Sequence, residues 1–187
     1  MKCSDRSQPL RGSAPKGEPR IKTLAFTALL LALGLALPQA LHFFGQDAGQ
    51  LFLPMHLPVL VAGLALGPVP GAILGAVLPG LSFLISGMPP LPLLWFMTAE
   101  LLAYGLAAGL FKDKARLPLW ASLLLAQLAG RAAEALVLLL FGGVFRLSGV
   151  PAAMLVVTAA VKGLPGIAAQ WVLVPLLVKA LEKVRKA

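Results

Sequence analysis

Apolar runs of spanning or near-spanning length recur along this chain from residue 22 almost to its end. Six can be drawn, at about 22–41, 54–67, 70–87, 92–111, 118–141 and 153–179. A helix rises 1.5 Å per residue and the hydrocarbon core of a bilayer is about 30 Å thick, so about 20 apolar residues make one crossing. Of the 187 residues 59% are hydrophobic and only 12% charged, about half the charge fraction of a soluble domain. The pattern predicts an all-α membrane protein with six transmembrane helices.

The net charge of +9 would suit a nucleic-acid binder if it were spread over one surface, but it is gathered beside the spans. Lys2, Arg6, Arg11, Lys16, Arg20 and Lys22 lead into the first run. Lys112, Lys114 and Arg116 lie between the fourth and fifth, and Lys179, Lys183, Arg185 and Lys186 close the chain. With both termini cytoplasmic, these thirteen face inward and only Arg146 lies in an outer loop. That asymmetry is the positive-inside pattern and sets the expected orientation. Residues 1–21 read as a disordered, basic cytoplasmic arm, and residues 22–182 as one six-span membrane domain. A cleaved signal peptide is the rival reading of the first run, but no clear small-x-small site follows it.

Span two is the irregular one. "LPMHLPVLVAGLALGP" places His56 between Pro54 and Pro58 and yields about 14 residues of span, about 21 Å of rise. Such a segment is either buried among other helices or completed by the preceding loop dipping inward, which is tolerated only under protein or beside a watery cavity. His56 is then either a cavity-edge residue or an interfacial one. Small residues also repeat every four positions: Ala28, Ala32 and Ala36 on span one, Gly71 and Gly75 on span three, Gly105 and Gly109 on span four. Spacing of this kind lets helix backbones approach closely in lipid.

Ionisable residues inside spans are costly and mark function by default. Glu100, Arg131, Glu134 and Lys162 all fall, by rise per residue, between the midplane and the outer face. Gln127, Arg131 and Glu134 share one face of span five, Glu100 and Tyr104 one face of span four, and Thr158 and Lys162 one of span six. These residues are expected either to tie spans four to six together as an ion-pair network or to line a polar pocket open to the outside. The pocket reading takes Glu100, Arg131, Glu134, Lys162, His56, Trp95 and Gln127 as substrate-binding residues, with Phe83 and Phe96 as further rings that could stack on a ligand. Interfacial tryptophans are also common membrane anchors.

Other chemistry is missing from the sequence. No phosphate loop, HExxH, metal-spaced histidine pair or GxSxG occurs, and Cys3 is the lone cysteine, so neither an enzyme, a metal site nor a cofactor is expected. Matching broken spans in two halves, the mark of inverted-repeat carriers, are also missing. A small proton-coupled carrier using Glu100 and Glu134 stands as the alternative function.

The run "LPMHLPVLVAGLALGPVPGAILGAVLPGLSFLISGMPP", with "AELLAYGLAAGLF" and the Ala28-x-x-x-Ala32-x-x-x-Ala36 stripe, resembles the substrate-binding S components of energy-coupling factor (ECF) vitamin transporters over residues 22–180. The resemblance implies a non-enzymatic, multi-pass subunit of the cytoplasmic membrane. It implies capture of a vitamin under extracellular loop one, here residues 42–53, and passage inward by toppling once joined to a transmembrane coupling subunit and two ATPase subunits. It further implies that Ala28, Ala32 and Ala36 meet the coupling subunit and that Gly67-Pro68-Val69-Pro70 is the cytoplasmic turn. No ligand-binding residue follows from it.

Overall fold

The computed structural model describes residues 18–42, 53–91, 93–141, 161 and 163–186, and all regular structure among them is helical. The helices are α1 (Glu18–His42), α2 (His56–Leu66), α3 (Pro68–Ser86), α4 (Leu93–Gly109), α5 (Leu119–Phe141) and α6 (Leu164–Lys186). A single widened π turn, Leu110–Lys114, extends α4. Among the described residues, five helices are long and apolar enough to cross a membrane, and α2 is a shorter sixth. Helix α1 begins at Glu18, four residues ahead of the expected start, and α6 runs on past residue 179 to Lys186. The expected start of the sixth run, at 153, lies outside the described residues, as do Thr158, Lys162 and most of the 42–53 loop.

Helix α2 explains its own brevity. At 11 residues it rises about 16 Å, too little to cross lipid alone. It packs against all five other helices, and every residue of it except Leu57 and Leu66 is buried. Of the two readings open from the sequence, burial among helices is the one observed. Pro58 sits in its first turn, where backbone N–H groups have no intrahelical acceptor in any case. At the other end, Lys112 Nζ donates to Leu64 O at 2.7 Å and Arg185 Nη1 to Ala65 O at 2.8 Å. Two cations thus satisfy last-turn carbonyls where the helix dipole is negative. Lys112 also pairs with Glu182 of α6. Gly67 then turns the chain into α3 at φ 107°, a conformation only glycine adopts readily, and Pro68 opens the new helix.

Glycines set the spacing of α2, α3 and α4. A Cβ on Gly105 would lie 2.1 Å from Gly71 O, and one on Gly63 would lie 2.5 Å from Gly105 O. One on Gly75 would meet Leu101 O at 2.3 Å. The three backbones touch, which is how helices gain packing energy when lipid supplies no hydrophobic drive. Outward faces are apolar: Ile73, Val77 and Leu84 of α3, Leu102 and Leu106 of α4, and Leu128, Leu136 and Leu139 of α5 are exposed. On α1, Leu30, Gly34 and Pro38 face inward, whereas Ala28, Ala32 and Ala36 lie on the exposed side.

The backbone contact can be tested directly. Gly105→Leu is expected to lower the thermal unfolding midpoint in detergent by at least about 3 °C, since overpacking costs about 1–3 kcal/mol or more. Gly80→Ala, whose Cβ would meet nothing within 4 Å, is expected to leave the midpoint unchanged.

Candidate functional site

The glycine contacts fix the heights of the helices and so decide which polar residues meet. Helices α2 and α4 run in the same direction with Gly63 beside Gly105. Seven residues earlier on each, His56 therefore comes level with Thr98 and within a turn of Glu100. Helix α5 runs the other way, with Gly130 against the ring of Tyr104. Four residues further along α5, Glu134 comes level with Glu100.

The side chains converge accordingly. Arg131 Nη1 stands 2.9 Å from Glu100 Oε1 and donates to Glu134 Oε2 at 2.8 Å. His56 Nε2 lies 3.4 Å from the same Glu100 oxygen. The His56 ring meets Tyr104 edge-on, centroids 5.1 Å apart. One guanidinium nitrogen thus serves two carboxylates from different helices. Side-chain exposure is 1% for His56, 5% for Glu100, 7% for Glu134 and 17% for Arg131, so Arg131 is the most exposed of the four.

The cluster is not internally satisfied. Among the described residues, Nδ1 of His56 and Nε and Nη2 of Arg131 are buried without a hydrogen-bond partner, and His56 Nε2 has only its 3.4 Å approach to Glu100 Oε1. A buried polar group left unmade costs about 1–3 kcal/mol, and more when charged. Buried polar atoms gathered in this way call for a partner that the described residues do not supply.

Other expected residues distribute differently. Gln127, one turn from Arg131, has its amide engaged: its Nε2 donates to Gln170 Oε1 at 3.0 Å, and its Oε1 accepts from Trp171 Nε1 at 2.9 Å. It ties α5 to α6. Trp95 is 57% exposed and does not join the cluster; five residues from Glu100, it is turned about 140° away around α4. Phe96, four residues from Glu100 on the same face, is 2% exposed and stands one turn from the carboxylate. Phe83 is half-buried on α3, and Lys162 lies outside the described residues. Gly130 and Gln170 were not singled out from sequence. Gly130 leaves the space that the Tyr104 ring fills, since a Cβ there would lie 2.6 Å from it. No three of His, Cys, Asp and Glu among the described residues are grouped to hold a metal ion.

By its helices the chain is a polytopic α-helical membrane protein with a buried charged cluster. The comparisons with known proteins specify which. The family model "ECF transporter, substrate-specific component" matches residues 22–178, and the chain belongs to that family. It is a multi-pass protein of the cell membrane and the substrate-specific subunit of a transporter. No curated protein and no solved structure matches the chain.

The shared cation has a measurable consequence. Arg131→Met strands two buried carboxylates and is expected to cost about 3–5 kcal/mol of stability, read as a lowered thermal midpoint of the ligand-free protein. Adding Glu100→Gln and Glu134→Gln to the same chain is expected to recover most of that loss.

Proposed function

We propose that the chain captures a vitamin or related micronutrient at the outer side of the cytoplasmic membrane and presents it for uptake driven by two ATPase subunits through a transmembrane coupling subunit. His56, Glu100, Arg131 and Glu134 form the heart of the binding site, with Phe96 beside it. The observation that carries this reading is the set of buried, unpartnered polar atoms on His56 and Arg131, in a chain of a substrate-binding family. Lys162 belongs to the same site by its depth along the sequence; Gln127 supports Arg131 from one turn away, and Trp95 takes the membrane-anchor role. In this reading the chain is not an enzyme. The proton-carrier alternative would use Glu100 and Glu134, both ion-paired with Arg131, and is the less well supported because the chain matches a substrate-binding family.

Orientation follows from charge. The end bearing Lys112, Lys114, Arg116, Lys183 and Arg185 faces the cytoplasm, and residues 1–21 form a basic cytoplasmic arm. Helix α1 then offers Ala28, Ala32 and Ala36, exposed in the isolated chain, to the coupling subunit as a flat surface.

Two experiments test these points. In a Cys3→Ser background, an impermeant thiol reagent applied to intact cells is expected to label Asp47→Cys and Ser148→Cys but not Lys114→Cys; labelling at position 114 overturns the orientation. Ala32→Trp is expected to reduce vitamin uptake at least tenfold while the purified protein keeps its ligand affinity. A parallel fall in affinity would place the stripe in the protein's own core.

A further inference from the structure

Resting on the site proposed above, we infer that Gln170 of α6 is a ligand-contacting residue of that site, its amide Nε2 held as a fixed donor for an acceptor atom of the bound molecule. The inference comes from a relay of side chains between α5 and α6. Trp171 Nε1 donates to Gln127 Oε1 at 2.9 Å, and Gln127 Nε2 donates to Gln170 Oε1 at 3.0 Å. Gln170 Nε2 is left over. It is buried without a hydrogen-bond partner among the described residues, on a residue only 2% exposed.

The direction of this relay is not free. An amide can turn over and exchange its oxygen for its nitrogen, but an indole N–H can only donate. Gln127 must therefore turn its oxygen toward Trp171 and its nitrogen toward Gln170. Gln170 must in turn offer its oxygen, which commits the other arm of its amide to being a donor. The indole is braced from the far side, where its ring stacks on that of Trp120 with centroids 5.8 Å and planes 29° apart. Trp171 thus fixes, through Gln127, which atom Gln170 presents.

The free donor stands near the charged cluster. Gln127 and Arg131 are four residues apart on one face of α5, where Cβ atoms are about 5–6 Å apart. The amide that Gln127 holds is therefore within the length of a small organic molecule of the Arg131 edge. That edge, Nε and Nη2, is likewise buried without a partner among the described residues. Guanidinium and amide nitrogens donate and do not accept, so both unpaired groups call for acceptors, and leaving them unmet within a lipid-embedded bundle is costly. A molecule with acceptor oxygens or ring nitrogens at two separated points meets both, whether it is neutral or anionic. Gln127 is then a positioning residue, and Trp171 acts through it.

The test uses the detergent-purified full chain, freed of bound small molecules by partial unfolding and refolding. It is titrated calorimetrically with riboflavin, folate, thiamine, biotin, pantothenate and nicotinate, and the tightest binder is carried through the variants. Gln170→Met keeps the length of the side chain and removes the amide; it is expected to weaken binding at least about fivefold. Trp171→Phe keeps an aromatic ring and frees Gln127 to turn over. It is expected to weaken binding at least about threefold, and to add nothing in the Gln170→Met background, the signature of a residue acting through Gln170. Unchanged affinity in both single variants, whatever their thermal midpoints, would leave the amide to water or to a tie between helices and overturn the inference. Should Gln170→Met not fold, Trp171→Phe decides by the same threshold. Binding weakened by Arg131→Lys but by neither of these variants strikes out Gln170 and leaves the site in place. Binding untouched by Arg131→Lys, or failure of all six molecules to bind the native chain, overturns the proposed site and this inference with it.

Discussion

One guanidinium nitrogen holding two buried carboxylates is the interaction around which this bundle is arranged. Arg131 Nη1 reaches Glu100 of α4 and Glu134 of its own helix within 3 Å, and the arrangement works only at one register of α4 against α5. Gly130 sets that register by admitting the Tyr104 ring into the space a side chain would occupy. Displace the ring, and both the edge-on contact with His56 and the height of Glu100 relative to Glu134 are lost. In lipid, where an unmatched charge is expensive, such a cluster persists only if the scaffold around it is rigid.

That rigidity comes from the short central helix and its glycines. Because α2 is covered on all sides by other helices, it need not span lipid, and it begins at the depth of the charged cluster. His56 can therefore stand at a helix start deep in the bundle, its backbone N–H bonded to Leu53 O at 3.1 Å. At the far end, Lys112 and Arg185 anchor the last-turn carbonyls from two different elements. Polar interactions pin α2 at both ends, and backbone contact through Gly63, Gly71 and Gly105 pins it in the middle. In the proposed binding role, these contacts make the cluster a preorganised wall, so little affinity is lost to ordering it.

Much of this was legible in the sequence, for identifiable reasons. The helix count follows from apolar runs and their length. Arg131 and Glu134, three residues apart, had to share a face, and Glu100 was rare enough at its depth to be matched with them. The glycine spacing on α3 and α4 announced close packing. What was not legible depends on how one helix sits against another. Trp95 looked as eligible as Phe96 until the face of α4 toward the bundle was known; a single residue's shift turns a side chain about 100°. Gln127 had the depth and face of a ligand residue, yet its amide is taken up by Gln170 and Trp171, a pairing no local pattern encodes. The capping of α2 by residues 48 and 120 positions away along the chain is equally beyond local reading.

The most direct measurement is an experimental structure of the detergent-solubilised protein with the small molecule that co-purifies with it. The expected result places a polar edge of that molecule about 3 Å from Nε and Nη2 of Arg131, with His56 and Phe96 lining the same space. Density for the molecule elsewhere, with the Arg131 edge still unpaired or closed by the protein's own groups, would contradict the assignment of this cluster as the binding site.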